Sequence, residues 1–221
     1  MGYHFDWAPI WQHRDQIASG LLVTIALSIA GLLGALLIGL VVGTAGASRR
    51  RPARVAAVLY VEGVRNVPLL LHIYLWFLGF SALQLPAFLC AAFGLSIYSG
   101  AYAAELIRTG LASVPAQQSE AASALGLKRW TTLRFVIYPQ ALRAIAPSLA
   151  SLASQLIKDS SLASVVAVGE LAYEAGAVDA DTFRTFEVYA TITLLYLLLV
   201  TVSSHLILRR APPATPGRRH G

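Results

Sequence analysis

Long apolar runs broken by short clusters of charge set the pattern of this chain. Ile17 to Ala47 runs 31 residues without a charge. A bilayer-crossing helix needs about 20 mostly apolar residues, so this run predicts a first span. It is too long for the apolar core of a secretory signal, roughly 7–15 residues. Val55 to Phe80 predicts a second span, although it carries Glu62, Arg65 and His72. Ala87 to Leu106, apolar apart from Glu105, predicts a third. Ala141 to Ile157 is a shorter and weaker fourth, and Phe186 to Leu208 a strong fifth. The expected fold is an all-α membrane protein: an N-terminal segment 1–16, a five-span unit 17–208 and a tail 209–221. The proline- and arginine-rich stretch Ala211–Gly221 reads as disordered.

Charge orients the spans. Arg49, Arg50, Arg51 and Arg54 lie in one loop. Lys128, Arg129, Arg134 and Arg143 fall between spans three and four, and Arg209, Arg210, Arg218 and Arg219 follow the last. Five spans put these three regions on one side, which then holds 12 of the 17 basic residues. An excess of Lys and Arg marks the cytoplasmic face, so the N-terminus is expected outside and the C-terminus inside. The other face receives Glu170, Glu174, Asp179, Asp181 and Glu187, and Gly169 to Glu187 reads as a solvated outer loop. The net charge of +6 is thereby explained by topology, without nucleic acid. Composition agrees: 57% apolar and 13% charged residues exclude an ordinary soluble domain.

Several chemistries are missing. A P-loop needs G-x-x-x-x-G-K-[ST]; neither Lys128 nor Lys158 follows such a loop. The five histidines have no metal-ligand spacing, and no G-x-S-x-G elbow is present. The single cysteine, Cys90, cannot form an intrachain bridge. Gly39 and Gly43 have the small-xxx-small spacing that lets helices approach closely, and His72 reads as a polar contact between helices.

The segment Thr109 to Tyr138 is far longer than an ordinary helix connection of 2–8 residues. Pro115 can start a helix, Ala116 to Leu125 favours one, and Gly126 can stop it. A second short run, Lys128 to Ile137, is expected to end at Pro139. Ala121, Ala122 and Ala124 leave the first helix almost without side-chain bulk. Such a surface suits a groove on another protein, with Glu120 adding a charge-assisted contact; an interfacial helix on lipid is the alternative.

Spaced motifs carry a resemblance. Glu120-Ala121-Ala122, Gly126 and Val136-Ile137-Tyr138-Pro139 resemble the EAA loop of ABC importer permeases. Gly100-Ala101-Tyr102-Ala103-Ala104-Glu105, Ser113-Val114-Pro115, Tyr138-Pro139-Gln140-Ala141-Leu142-Arg143 and Lys158-Asp159-Ser160-Ser161-Leu162 are similar to its polar amino acid branch. Arg65-Asn66-Val67-Pro68-Leu69-Leu70 is similar to a scaffold-helix motif of that family. Tyr138 departs from the family's usual leucine, which puts the packing there in question.

The resemblance implies a type I importer permease fold in the bacterial inner membrane. It implies that Glu120, Ala121, Ala122, Gly126 and Pro139 couple the chain to two cytoplasmic ATPase subunits. A second permease, identical or not, and a solute-binding protein outside complete the assembly. No cofactor is expected in this chain; ATP and Mg would sit on the ATPases, and the chain itself would not be an enzyme.

Ionisable groups within spans are costly and usually face a bundle interior or a pathway. Asn66, Glu105, Lys158, Asp159 and Ser160 are the pathway candidates. The run Lys158-Asp159-Ser160-Ser161 predicts a broken helix whose donors and acceptors suit an amino acid zwitterion. Glu62–Arg65 and Glu105–Arg108, each three apart, read as structural ion pairs. Phe5-Asp6-Trp7, Tyr60-Val61-Glu62 and Tyr189-Ala190-Thr191-Ile192-Thr193 lean toward glutamate/aspartate permeases. The rivals are an ion-gradient-driven transporter and a membrane scaffold with no transport role.

Overall fold

Helix α2 (Arg14–Gly46) follows directly from the first apolar run. Its 33 residues rise about 50 Å at 1.5 Å per residue. Its buried positions include Gly20, Thr24, Leu27, Gly31, Ala35, Gly39 and Gly43. Their spacing of three and four draws one stripe of small residues down the helix. The stripe seats α5 (Ala87–Ser113), itself rich in buried Ala, Gly and Ser. A Cβ built on Gly39 would fall 2.5 Å from Ala103 Cβ, and one on Gly43 2.6 Å from the Ala104 carbonyl oxygen. The expectation for this pair is met: backbones touch where side chains are missing. Gly39→Ala is accordingly expected to cost about 1–3 kcal/mol, read as a lower thermal midpoint in detergent. Gly63→Ala, with nothing within 4 Å of its Cβ, should leave that midpoint within a degree or two; equal effects would contradict the packing account.

The computed structural model describes residues 4–210, as a helical bundle without strands among those residues. The expected tail 211–221 lies outside the described residues. Three straight helices, α2, α5 and α10 (Thr185–Arg210), are long and apolar enough to cross a membrane. Two bent pairs bring the total to five if each is one crossing.

Both bent pairs correct the expected elements. The second span is not one rod. Helices α3 (Arg51–Arg65) and α4 (Leu69–Gly79) meet at 100° across Asn66-Val67-Pro68. Proline disfavours helical backbone in the residue before it, which ends α3. His72 Nε2 donates to the Val64 carbonyl at 3.2 Å, a second bond to an acceptor that also takes the Val67 N–H at 3.2 Å at the end of α3. This is the polar contact expected of His72. The expected Glu62–Arg65 pair does not form; the Arg65 guanidinium instead lies 5.0 Å from the Tyr102 ring centroid.

The fourth span is longer than expected. Helix α8 (Tyr138–Asp159) passes into a 3-10 segment, Ser160–Val166, and then into α9 (Leu171–Thr182). Residues 129–166 and α9 are bent by 52°. The helix therefore breaks its α form at Ser160, where consecutive polar residues predicted a break. The outer loop expected at Gly169–Glu187 is instead mostly α9 and the start of α10. Its Glu170 and Glu187 are fully buried. Glu170 caps α9: its Oε1 accepts from the Tyr173 N–H at 2.8 Å and its Oε2 from the Ala172 N–H at 2.9 Å. Tyr196 of α10 donates to Oε2 at 2.8 Å. Thr24 of α2 accepts from the Leu171 N–H at 3.0 Å. A carboxylate so fully partnered has no need of solvent.

Candidate coupling elbow and polar face

Helix α6 (Ala116–Ala124) stands on the end of α5, entered through Pro115. Glu120 and Ala121 are exposed, whereas Ala122 is turned inward and is 4% exposed. The helix ends in a Schellman motif. The Leu127 N–H donates to the Ala122 carbonyl at 3.1 Å, and the Gly126 N–H to Ser123 at 2.9 Å. This arrangement requires a left-handed residue, and Gly126 supplies it with φ of +75°. The chain then reverses into α7 (Arg129–Thr132).

Pro139 does not end the second short helix, as expected from sequence. Helix α7 runs through a π turn, Leu133–Ile137, directly into α8. Proline has no N–H for the preceding turn. Opening that turn by one residue lets the helix continue, as π-bulges do elsewhere. Gln140 Nε2 donates to the Val136 carbonyl at 2.9 Å within the opened turn, and approaches Gln118 Oε1 of α6 at 3.4 Å. The Tyr138 hydroxyl hydrogen-bonds Thr44 Oγ1 of α2, which resolves the packing question at this position. A cavity of about 890 Å³ separates the elbow from the bundle, lined among others by Arg49, Arg108, Glu120, Arg129 and Ile137. The basic clusters around Arg49 and Arg129 therefore share one end of the molecule. Asp6, Glu174, Arg184 and Glu187 gather at the other, where Gln16 donates to Glu174 at 2.7 Å and the Asp6 N–H to Glu187 at 2.8 Å.

The five pathway candidates do not form one surface. Glu105 is paired with Arg108 near the elbow, Nε–Oε2 at 3.0 Å and NH2–Oε1 at 2.6 Å, as the spacing predicted. Asn66 is exposed at the α3–α4 bend and donates to the Glu62 carbonyl at 2.7 Å. Lys158 is exposed, Asp159 half-buried and Ser160 fully buried. Adjacent helical residues do not face the same way, so the run was too compact to act as one patch. Asp159 accepts from Gln155 Nε2 at 2.8 Å.

What the structure does assemble is a polar face on α5. The Tyr98 and Tyr102 hydroxyls lie 3.2 Å apart. Arg65 covers the Tyr102 ring, and Glu105 follows one turn along the same helix. The i, i+4, i+7 spacing of Tyr98, Tyr102 and Glu105 on one helix was the available signal in sequence. Guanidinium, carboxylate and two phenols together offer donors and acceptors of both charges.

A helical bundle with three to five candidate crossings and a projecting elbow is the build of a membrane-embedded transport component. The chain belongs to the family of binding-protein-dependent transport system inner membrane components, which it matches over residues 35–214. The glutamine transport system permease protein GlnP of Escherichia coli (strain K12) is 36% identical over 210 residues, covering 93% of this chain and 95% of its own. The L-cystine transport system permease protein TcyB of Bacillus subtilis (strain 168) is 36% identical over 217 residues, covering 95% and 93%. A solved amino acid ABC transporter with histidines superposes with a TM-score of 0.82 at 31% identity, over 93% of this chain and 97% of that one. An inward-facing methionine ABC transporter, TM-score 0.75 at 18% identity over 91% and 99%, shares the fold. The chain is thus a permease subunit of the ABC transporter type, a membrane protein and, as its relatives are, not itself an enzyme.

Proposed function

We propose that this subunit carries a polar amino acid across the bacterial inner membrane, driven by ATPase subunits that grip α6. The observation that supports it best is the elbow: a small, exposed helix, stopped at Gly126 and continuous through α7 and the π turn with α8. On this reading Glu120, Ala121, Ala122 and Gly126 meet the ATPase, and Pro139 sets the π turn that joins the elbow to the bundle. The ATPases hold ATP and magnesium. The elbow end is cytoplasmic, the N-terminus outside and the C-terminus inside. A second permease, the same or different, and a solute-binding protein complete the importer.

The polar face and Asp159 receive the substrate: Arg65 takes the carboxylate and Asp159 the ammonium. Glutamine and glutamate are the substrates to test, the first named for a relative, the second favoured by the motifs around Tyr60 and Tyr189. Proteoliposomes containing the full importer should take up one of them only with ATP on the elbow side, and should continue with an ionophore present. Asp159→Ala should lower that uptake about tenfold, the loss of one charge-assisted contact, with insertion unchanged. Uptake that ignores ATP and collapses with the ionophore would establish a secondary transporter. Failure to co-purify any ATPase would leave a scaffold.

A further inference from the structure

At the end of the bundle opposite the elbow, the chain exposes a concentration of aromatic rings. Phe5 is 60% exposed, Trp7 49%, Trp11 73%, Phe183 84% and Phe186 58%. They come from two segments. The arm before α2, including the short helix α1 (Ala8–Gln12), carries the first three, and the α9–α10 junction carries the others. Phe5 and Phe186 meet edge to face, centroids 5.3 Å apart at 66°, so the arm and α10 present one continuous patch.

The arm is fastened from beneath by charge. Arg184 lies 3.9 Å from Asp6 and 4.0 Å from the buried Glu187, and donates to the His4 carbonyl at 2.9 Å. The Asp6 N–H donates to Glu187. Asp6 and Arg184 are partly exposed but paired with each other, Glu187 is buried, and the rings of the arm and of α10 stand exposed beside them. The backbone adds an independent sign. Phe183 ends α9 in the left-handed region, with φ of 55°. A bulky residue there is strained, and glycine is what a helix end would ordinarily use. Strain retained at a fully projecting ring points to a use for the ring.

We propose that this collar is a bilayer anchor: the arm lies in the phospholipid headgroup layer, and the Asp6–Arg184–Glu187 latch holds it against α10. Aromatic rings with polar edges concentrate at membrane–water interfaces. The exposed surface of α10 fits that depth. It is aromatic at Phe186 and Tyr189 and turns aliphatic at Leu194, Leu197 and Leu198, roughly one and a half to two and a half turns beyond Tyr189. Arg14 lies 5.5 Å from the Trp11 ring centroid and 3.7 Å from the exposed Asp15, so an exposed ion pair stands beside the ring at the level where lipid headgroups would run. A soluble protein docking here would have to bury the same rings against latch charges that are already paired with one another.

The test uses the full chain with Trp76→Phe and Trp130→Phe, so that only Trp7 and Trp11 emit. It is reconstituted in phosphatidylcholine vesicles with bromine at defined acyl depths. Quenching should be strongest with bromines nearest the headgroups and weaker toward the chain ends. Iodide in the water should quench about threefold less than it quenches free tryptophanamide, as interfacial burial requires. Arg184→Gln should restore iodide quenching by freeing the arm. A nitroxide on Gln12→Cys in a Cys90→Ala background gives a second depth reading that leaves both indoles intact. Full iodide quenching with no bromolipid effect would overturn the anchor. So would protection that arises only when a purified solute-binding protein is added, since that would make the collar a protein dock.

Discussion

Gly126→Ala is expected to lower ATP-driven uptake about tenfold while leaving the amount of protein in the membrane unchanged. The reason is conformational. Gly126 sits at φ of +75° with nothing within 4 Å of a Cβ built upon it, so alanine meets no clash. It meets the left-handed backbone penalty, about 1–2 kcal/mol, and that is the energy available to unwind the Schellman closure between Ala122 and Leu127. A misaimed α6 would reach its ATPase less often. Gly126→Asn should lose less, because asparagine tolerates this region. Gly126→Asp adds a charge at the proposed contact and should uncouple transport most completely, leaving ATP hydrolysis unresponsive to substrate. Uptake ordered Asn above Ala above Asp is the signature; equal uptake by all three would remove Gly126 from the coupling role proposed for it.

The largest loss of stability should follow Glu170→Ala. That change strips two backbone N–H groups of α9 and the Tyr196 hydroxyl of their common acceptor in a fully buried position. Stranding buried donors costs about 1–3 kcal/mol each before relaxation, so a total of about 2–4 kcal/mol is expected, several degrees of thermal midpoint in detergent. Glu170→Gln keeps one carbonyl acceptor and should lose roughly half as much. Tyr196→Phe removes only its own donor and should be milder still. A Glu170→Ala midpoint within a degree of the parent would show that the cap is dispensable.

The straight spans were legible because one variable, sustained hydrophobicity, decides them. The elbow was legible because Pro115, the alanines and Gly126 act locally, within one or two turns. The bends were harder. Pro68 stood in plain view, but the apolar run on both sides of it outweighed a single proline in the reading of Val55–Phe80. Pro139 misled in the opposite direction: a helix stop was expected where an extra residue in the preceding turn lets the helix pass. The α9 segment was hidden because its acidic residues look solvated. Glu170 and Glu187 are buried only because Thr24, Tyr196 and Asp6, distant in sequence, come to meet them. The polar face has the same character. Arg65 seemed committed to Glu62 by spacing, and found Tyr102 across the bundle instead. No pattern within one helix records that choice.

The opened turn at Leu133–Ile137 has a mechanical consequence. The chain is helical without a loop from Arg129 to Asp159, so on the proposed coupling a movement of the elbow would reach the far end of that strut. The overwide coil and Pro147, which lacks an N–H for its own turn, are the two irregular points along it, and on the proposed coupling a change of winding at either would turn Asp159 about the helix axis.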